Sequence, residues 1–175
     1  RRKSDINNKN FTQYIDSLLP ELTDVESITI SGGEPFMDPV VLRLIQYVKV
    51  NSKDLKQVSF STNMTFYNEE LFNLLDSMNI NVRMGVSIDG PRDIHNYIRY
   101  NNGSFNSFDT LVENLKRLSK TYPRFRFGVN TTCGILNVGF IKESLEEFKR
   151  IEEYTGVRFQ NIKNGPVFDI PLHAG

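Results

Sequence analysis

The sequence predicts an α/β fold built on a parallel sheet, and three observations support this class. Short runs rich in β-branched and aromatic residues alternate with segments of helical periodicity along the chain. No two predicted strands are joined by a two-residue Asn-Gly turn, and 175 residues suffice for one domain with a sizeable core. The alternation favours parallel strands joined by right-handed crossovers, in a sheet that is either doubly wound or curled into a barrel.

The predicted elements follow this rhythm. Strands are predicted at residues 27–31, 58–61, 82–88, 125–131 and 157–162. Helices are predicted near residues 11–19, after Asp38-Pro39, after Asn68, and around residues 108–118 and 141–151. An acidic N-cap followed by proline is a typical helix start. The connection at residues 89–106 is predicted to be a long polar loop, and such loops after a strand usually line a site.

Composition excludes several function classes. The 21 Lys and Arg residues balance the 21 Asp and Glu residues, so no global positive field favours nucleic acid or anionic lipid. No apolar run approaches the ~20 residues that cross a membrane, and no signal peptide is visible. Cys133 is the single cysteine, so an intrachain disulfide is excluded, and this count fits a reducing compartment. The residue itself is predicted to be a small buried hydrophobe. We expect a cytoplasmic protein without membrane or nucleic-acid partners.

The sharpest motif is the tetrapeptide Gly32-Gly33-Glu34-Pro35, directly after the first predicted strand. Two glycines allow positive φ and let a ligand approach the backbone closely. Glu34 adds a carboxylate beside exposed carbonyls, and these acceptors together suit an ammonium group. The alternative is a tight turn between strand and helix with a solvated acid.

Polar residues also follow the next two strands. Ser61-Thr62-Asn63 ends the second strand, where these side chains either bind a polar ligand or cap a turn. Ser87 and Asp89 alternate along the third strand and so point to the same side, where hydroxyl and carboxylate suit a ribose diol. Arg99 offers a planar fork of donors for a carboxylate, and His95 is predicted to cap or pack rather than to titrate.

A parallel sheet brings these three motifs to one rim, at the carboxyl ends of the strands. Together they offer acceptors for an ammonium group, partners for a ribose and an arginine for a carboxylate. These are the polar parts of an amino-acid nucleoside. The rim is therefore the predicted binding site.

The ordered set of motifs resembles the radical S-adenosylmethionine (SAM) enzymes. Residues 32–35 resemble the family motif that contacts the methionine amino group, and residues 61–63 are similar to the next polar strand end of that family. Residues 87–91 with His95, Asn96 and Arg99 resemble the subgroup of anaerobic sulfatase maturases and other SPASM-type, peptide-modifying members. In that subgroup the serine and the arginine twelve positions later contact the cofactor. The resemblance covers about residues 11–162.

The resemblance implies a partial (β/α) TIM-like barrel at residues 1–163, followed by a loop or a remnant of a further segment at residues 164–175. It implies an enzyme that reductively cleaves SAM at a [4Fe–4S] cluster to a 5′-deoxyadenosyl radical. A peptide or protein substrate and an electron donor such as flavodoxin or ferredoxin are the implied partners. The cofactors carry such chemistry, and the protein orients them and excludes solvent.

The resemblance also assigns residues to the cofactor. Cofactor binding falls to Gly32, Gly33, Glu34, Pro35, Thr62, Asn63, Ser87, Asp89 and Arg99. The residues at 32–34 are assigned to the amino group, Arg99 to the carboxylate, and Ser87, with Thr62 or Asn63, to the ribose or methionine. Residues 131–133 and Ile162 are assigned to the adenine. No residue is predicted to be a general acid or base, or a metal ligand.

The chain departs from the family at the cluster. The family carries Cys-x-x-x-Cys-x-x-Cys after its first strand, and Cys133 alone cannot supply three thiolates. We therefore expect the first strand and the cysteine loop to be missing from this chain. One alternative is a phosphate-binding barrel, which Glu34 opposes because it repels phosphate. The other is a cluster-less barrel that binds SAM or a peptide without catalysis.

Overall fold

A computed structural model describes residues 17–99 and 106–166. The strands are β1 (Ser27–Ile30), β2 (Gln57–Thr62), β3 (Asn81–Ser87), β4 (Arg126–Cys133) and β5 (Phe159–Pro166). The α-helices are α1 (Pro39–Asn51), α2 (Glu69–Ser77), α3 (Arg92–Ile98), α4 (Ser107–Thr121) and α5 (Ile141–Thr155). All five strands are parallel in one sheet of order β1-β2-β3-β4-β5. This sequential order fits a barrel, because a doubly wound sheet reverses its strand order.

The predicted helix starts are confirmed at two caps. The Asp38 side chain accepts a hydrogen bond of 2.9 Å from the Val40 N–H at the start of α1. The Asn68 side chain accepts one of 3.0 Å from the Leu71 N–H at the start of α2. Each bond satisfies a backbone donor that has no partner within the helix.

One face of the sheet packs against the helices and forms the core. In β2 and β3 alternate residues are buried, which are Val58, Phe60, Thr62, Val82, Met84 and Val86. The residues between them face the other side of the sheet, where Thr29, Gln57, Ser59, Ser61, Arg83, Gly85 and Asn130 help to line a cavity of about 580 Å³. We call this side the concave face. The strands thus have an apolar face under the helices and a polar face on the concave side.

Three predictions need correction. The connection at residues 89–106 contains α3, whose buried residues are His95 and Asn96, so apolar periodicity could not reveal it. Strand β5 starts two residues after the predicted start and runs to Pro166, so residues 164–166 belong to a strand and not to a terminal loop. Cys133 is half-buried rather than buried.

Other predictions fall partly outside the described residues. Of the first predicted helix, residues 11–16 lie outside them, and Leu19 is buried in a one-turn 3₁₀ helix, Leu19–Leu22. The terminal residues 167–175 also lie outside. Among the described residues no helix combines the length and the apolar character needed to cross a bilayer.

Candidate functional site

The loop after β1 exposes its backbone at the carboxyl end of the sheet. Gly32 has φ 96° and Gly33 has φ 54°, both in the left-handed region that favours glycine. Both residues are exposed, and a Cβ built on either meets no heavy atom within 4 Å. The φ values, and not crowding, explain the two glycines, and the open space leaves the backbone accessible to a ligand.

The Glu34 carboxylate joins this loop to the end of β2 through hydrogen bonds. Its Oε1 atom accepts hydrogen bonds from the Thr62 hydroxyl at 2.7 Å and from the Phe36 N–H at 3.3 Å. Its Oε2 atom accepts one from the Asn63 N–H at 2.8 Å. A carboxylate has about four acceptor positions, so one remains for a ligand. The bonds position the loop, and the contact of Glu34 with an amino group stays a prediction.

At the end of β2, the polar side chains cap a turn. The buried Thr62 hydroxyl accepts a hydrogen bond from the Met64 N–H at 2.9 Å while it donates to Glu34. The Asn63 side-chain oxygen accepts from the Thr65 N–H at 2.8 Å and from its hydroxyl at 2.6 Å. Of the two alternatives at this strand end, the geometry supports capping for both oxygens.

The Asp89 carboxylate is buried and bonded within the protein. Its Oδ2 atom accepts from the Arg99 Nε–H at 2.6 Å, and its Oδ1 atom accepts from the Thr132 N–H at 2.9 Å. The Asp89 side chain is 3% exposed, whereas that of Arg99 is 27% exposed. Among the described residues, no other side chain bonds the Arg99 guanidinium. The outer edge of the guanidinium fork thus has no side-chain partner among the described residues, while Asp89 holds the fork in place.

His95 supports the same corner as a neutral ring. Its Nδ1 atom accepts a hydrogen bond from the Asp89 N–H at 3.2 Å, and its edge packs on Phe108 with 5.5 Å between ring centroids. Burial, and then the positive charge of Arg99, lower the pKa of His95 to about 4, although Asp89 opposes this. The prediction that His95 packs is confirmed.

Asn137 is a buried rim residue that sequence reasoning missed. Its amide donates hydrogen bonds to the Asp89 carbonyl at 2.9 Å and to the Thr132 carbonyl at 2.8 Å. Its side-chain oxygen accepts from the Gly134 N–H at 2.8 Å. These bonds join the loops after β3 and β4. The available signal was a lone asparagine in the apolar segment 134–141, which is a weak one.

Two asparagines complete the surroundings of this corner. The Asn96 side-chain oxygen accepts from the Phe108 N–H at 3.0 Å and from the Ser107 hydroxyl at 3.2 Å, and so anchors the start of α4. In β4, Asn130 lies beside Ser87 in register and donates to the Ser61 hydroxyl at 3.3 Å. The rim is thus cross-linked by amides.

Ser87 differs from its neighbours because its side chain is not engaged. It is half-buried at the last position of β3. Within residues 17–99 and 106–166, no group hydrogen-bonds the Ser87 hydroxyl. The contact of this hydroxyl with a ligand stays a prediction.

The residues near the end of β4 give the predicted adenine region less support. Thr131 is buried and its hydroxyl donates a hydrogen bond of 2.5 Å to the Ile88 carbonyl, so this side chain joins β4 to the end of β3. Cys133 and Ile162 are partly exposed. The described part of the chain holds no group of three or more His, Cys, Asp or Glu side chains that could bind a metal ion. With one cysteine in 175 residues, the chain does not fit a [4Fe–4S] cluster by itself.

Comparison with known proteins decides the family. The family model described as the Radical SAM superfamily matches residues 6–155. This chain belongs to the radical SAM superfamily. It is 29% identical over 146 residues to an uncharacterized protein of Methanocaldococcus jannaschii, a match that covers 82% of this chain and 49% of that protein.

Solved structures with the same fold include peptide-modifying members. The anaerobic sulfatase maturase anSMEcpe with bound AdoMet matches with a TM-score of 0.65 and 22% identity, over 91% of this chain and 42% of that chain. Streptococcus suis SuiB bound to precursor peptide SuiA matches with a TM-score of 0.56 and 14% identity, over 89% and 32%. These likenesses confirm the partial TIM barrel. This radical SAM chain spans about half or less of the length of each of these three proteins.

Proposed function

We propose that this chain forms the SAM-orienting part of a radical enzyme that modifies a peptide or protein. The observation that carries the proposal is the contrast between engaged and free groups at the rim. Glu34, Asp89 and Asn137 bond within the protein and hold the loops. The Ser87 hydroxyl and the outer edge of the Arg99 fork are left for a ligand, at the twelve-residue spacing of the family.

Each free group matches one part of SAM. The exposed backbone of Gly32 and Gly33, next to the negative charge of Glu34, suits the methionine amino group. The Arg99 fork suits the methionine carboxylate, since two parallel N–H groups match two carboxylate oxygens. Ser87, between these two ends, suits the ribose or the methionine chain. Asp89 and Thr62 act as positioning residues.

When bound, SAM would supply the carbon–sulfur bond that is cleaved reductively to a 5′-deoxyadenosyl radical. The protein's part is to orient the sulfonium and keep water away. The cluster ligands lie outside these 175 residues, so the reaction requires further protein. The proposal includes a one-electron donor of the flavodoxin or ferredoxin class. It also places the protein in the cytoplasm, because cysteine thiols stay reduced there.

A peptide substrate is supported by the fold neighbours. One matching structure is anSMEcpe with bound AdoMet and the Cp18Cys peptide, with a TM-score of 0.66 and 20% identity over 91% of this chain and 43% of that chain. SuiB is likewise bound to a precursor peptide. The concave face, open beside the rim, leaves space for a substrate next to the cofactor groups.

The test uses the full-length protein, reconstituted anaerobically with iron and sulfide. After dithionite reduction, SAM cleavage is measured as 5′-deoxyadenosine by mass spectrometry. We expect turnover in the wild type, a loss of about tenfold or more in Arg99→Gln, and wild-type turnover in the exposed surface control Arg150→Gln. SAM binding without a cluster and without cleavage would favour the second candidate, a non-catalytic SAM- or peptide-binding barrel.

A further inference from the structure

The concave face carries positive charge that no acidic residue in the described lining balances. Among the described residues, fifteen line its cavity of about 580 Å³, and they include Arg83, Arg126 and Lys163 but no Asp or Glu. All three basic residues are exposed. The whole chain has equal numbers of basic and acidic residues, so this local excess is a property of the face. A concave surface of one sign concentrates ligands of the opposite charge.

Two of these charges stand side by side on adjacent strands. Arg83 in β3 and Arg126 in β4 are register partners, and neighbouring strands are about 4.8 Å apart. Like charges at paired positions destabilise a sheet. Arg126 makes one long hydrogen bond, 3.5 Å to the Pro123 carbonyl. Within residues 17–99 and 106–166, Arg83 has no hydrogen bond or ion pair from its side chain. An anion between the two arginines would relieve their repulsion.

Two glycines line the same cavity as these arginines. A Cβ on Gly85 would lie 2.4 Å from the Asn130 Nδ2 atom, and one on Gly128 would lie 2.0 Å from the Asn161 Oδ1 atom. Each asparagine side chain therefore lies across the neighbouring strand, in space that only glycine leaves. Two amide side chains, those of Asn130 and Asn161, therefore line the concave face. Amides can both donate hydrogen bonds to a peptide backbone and accept them from it.

We propose that the concave face binds an acidic segment of the substrate peptide, with its carboxylates on Arg83 and Arg126. This inference rests on the proposed function and names its substrate class. Arg83 is four residues before Ser87 in β3, so the anchor lies about 13 Å below the rim. The acidic side chains would thus bind a few residues away from the residue that reacts beside the cofactor.

The observations favour a peptide over nucleic acid. The basic residues line an open cavity of about 580 Å³, a volume that suits a few side chains and not a duplex. The chain as a whole has no net positive charge, whereas nucleic-acid binding rests on a basic surface. Carboxylates are also matched well by paired guanidinium forks.

The test compares two charge-removing variants of the full-length protein. Arg83→Gln/Arg126→Gln removes the proposed anchor. Lys149→Gln/Arg150→Gln removes two exposed charges on α5 and serves as the matched control. Fluorescence anisotropy measures the affinity of rhodamine-labelled tri-glutamate and tri-glutamine peptides, at low salt and at about 150 mM salt. A poly-thymidine oligonucleotide and inorganic phosphate serve as competitors.

We expect wild type and control to prefer tri-glutamate, and the arginine double variant to lose about tenfold in affinity for that peptide alone. SAM affinity should be equal in all three proteins. Equal affinities for the two peptides would overturn the proposal. So would tight displacement by the oligonucleotide, or a lowered melting temperature with unchanged peptide affinity, which would mean that the arginines pair within the protein. Charge-dependent binding without SAM cleavage would instead sink the proposed function and leave the acidic-peptide site standing.

Discussion

At two junctions of the rim, a carboxylate joins the ends of two strands, but the charge of its bonding partners differs between the junctions. At the β1–β2 junction, Glu34 bonds the Thr62 hydroxyl and the Asn63 N–H, which are neutral donors. At the β3–β4 junction, Asp89 bonds the Thr132 N–H and the positively charged Arg99. Among the described residues, the carboxylate of the first junction therefore has no positively charged partner, whereas that of the second is paired with a cation.

In the proposed function, this difference suits the two ends of an amino acid. A junction with an uncompensated carboxylate attracts an ammonium group. A guanidinium held by a buried aspartate has its position fixed before a ligand carboxylate arrives, at the cost of part of its attraction. In the proposed function, ligand binding at the second junction therefore depends mainly on the fixed position of the Arg99 guanidinium. Binding at the first junction depends mainly on the charge of Glu34. Four changes test this difference, from the largest expected effect to the smallest.

The Asp89→Ala variant removes the buried half of the ion pair. It leaves the partly buried Arg99 charge and the Thr132 N–H without their partner, so we expect a loss of about 3–5 kcal/mol in unfolding free energy. Urea denaturation measures this loss. The Asp89→Ala/Arg99→Ala double variant should recover part of it, and no recovery would mean that the Thr132 bond, not the ion pair, carries the effect.

Acidification should weaken the β3–β4 junction through His95. Its folded pKa of about 4 lies below the ordinary value of 6.5, so the unfolded chain binds the proton more tightly. Stability is therefore full above about pH 6.5 and is lost as the pH falls towards 4, by about 2 kcal/mol between pH 7 and pH 5. Urea midpoints at the two pH values check this. His95→Gln should flatten this part of the profile, and an unchanged slope would contradict the assignment.

The Glu34→Gln variant keeps the shape of the first junction but removes its charge. One acceptor becomes an N–H donor facing a donor, so we expect a loss of about 1–2 kcal/mol in unfolding free energy. SAM affinity, measured by calorimetry, should fall beyond what the stability loss explains, because the ammonium loses its counter-charge. Exposed Glu146→Gln on α5 is the control. An unchanged SAM affinity would contradict the proposed contribution of the Glu34 charge to SAM binding.

The Ser87→Ala variant should leave both junctions intact. Because no described group bonds the hydroxyl, unfolding free energy should change by less than about 0.5 kcal/mol. SAM affinity should fall by about threefold to tenfold, as for one lost neutral hydrogen bond. Ser119→Ala, which loses a bond to the Thr155 carbonyl away from the rim, should show the reverse pattern of lower stability and unchanged affinity.

The sequence was sufficient to predict the parallel sheet and its helices, because the signals for these elements come from residues close together in the chain. Asp38 and Asn68 start helices through bonds to residues two and three positions away. The rim motifs also came together as predicted, since parallel strands place their ends on one edge. Helix α3 was missed because it buries a histidine and an asparagine instead of an apolar stripe.

The partners of the rim carboxylates could not be predicted from local sequence. Glu34 finds Thr62 after 28 residues, and Asp89 finds Thr132 after 43. Periodicity carries no information about such pairs, so the sequence does not predict these protein partners, and the contact of both acids with a ligand stays a prediction. Asn137 was missed for the same reason, because its role depends on a carbonyl 48 residues away.

The sequential strand order has a consequence for handling this polypeptide. Within the described residues, β1 and β5 each pair on one side only, and such edges are templates for another chain. The β1 edge has four residues, whereas the β5 edge has eight. We therefore expect the 175-residue segment, when produced alone, to associate through β5 at high concentration. A charged substitution at the exposed Ile162 should keep it dispersed in size-exclusion chromatography.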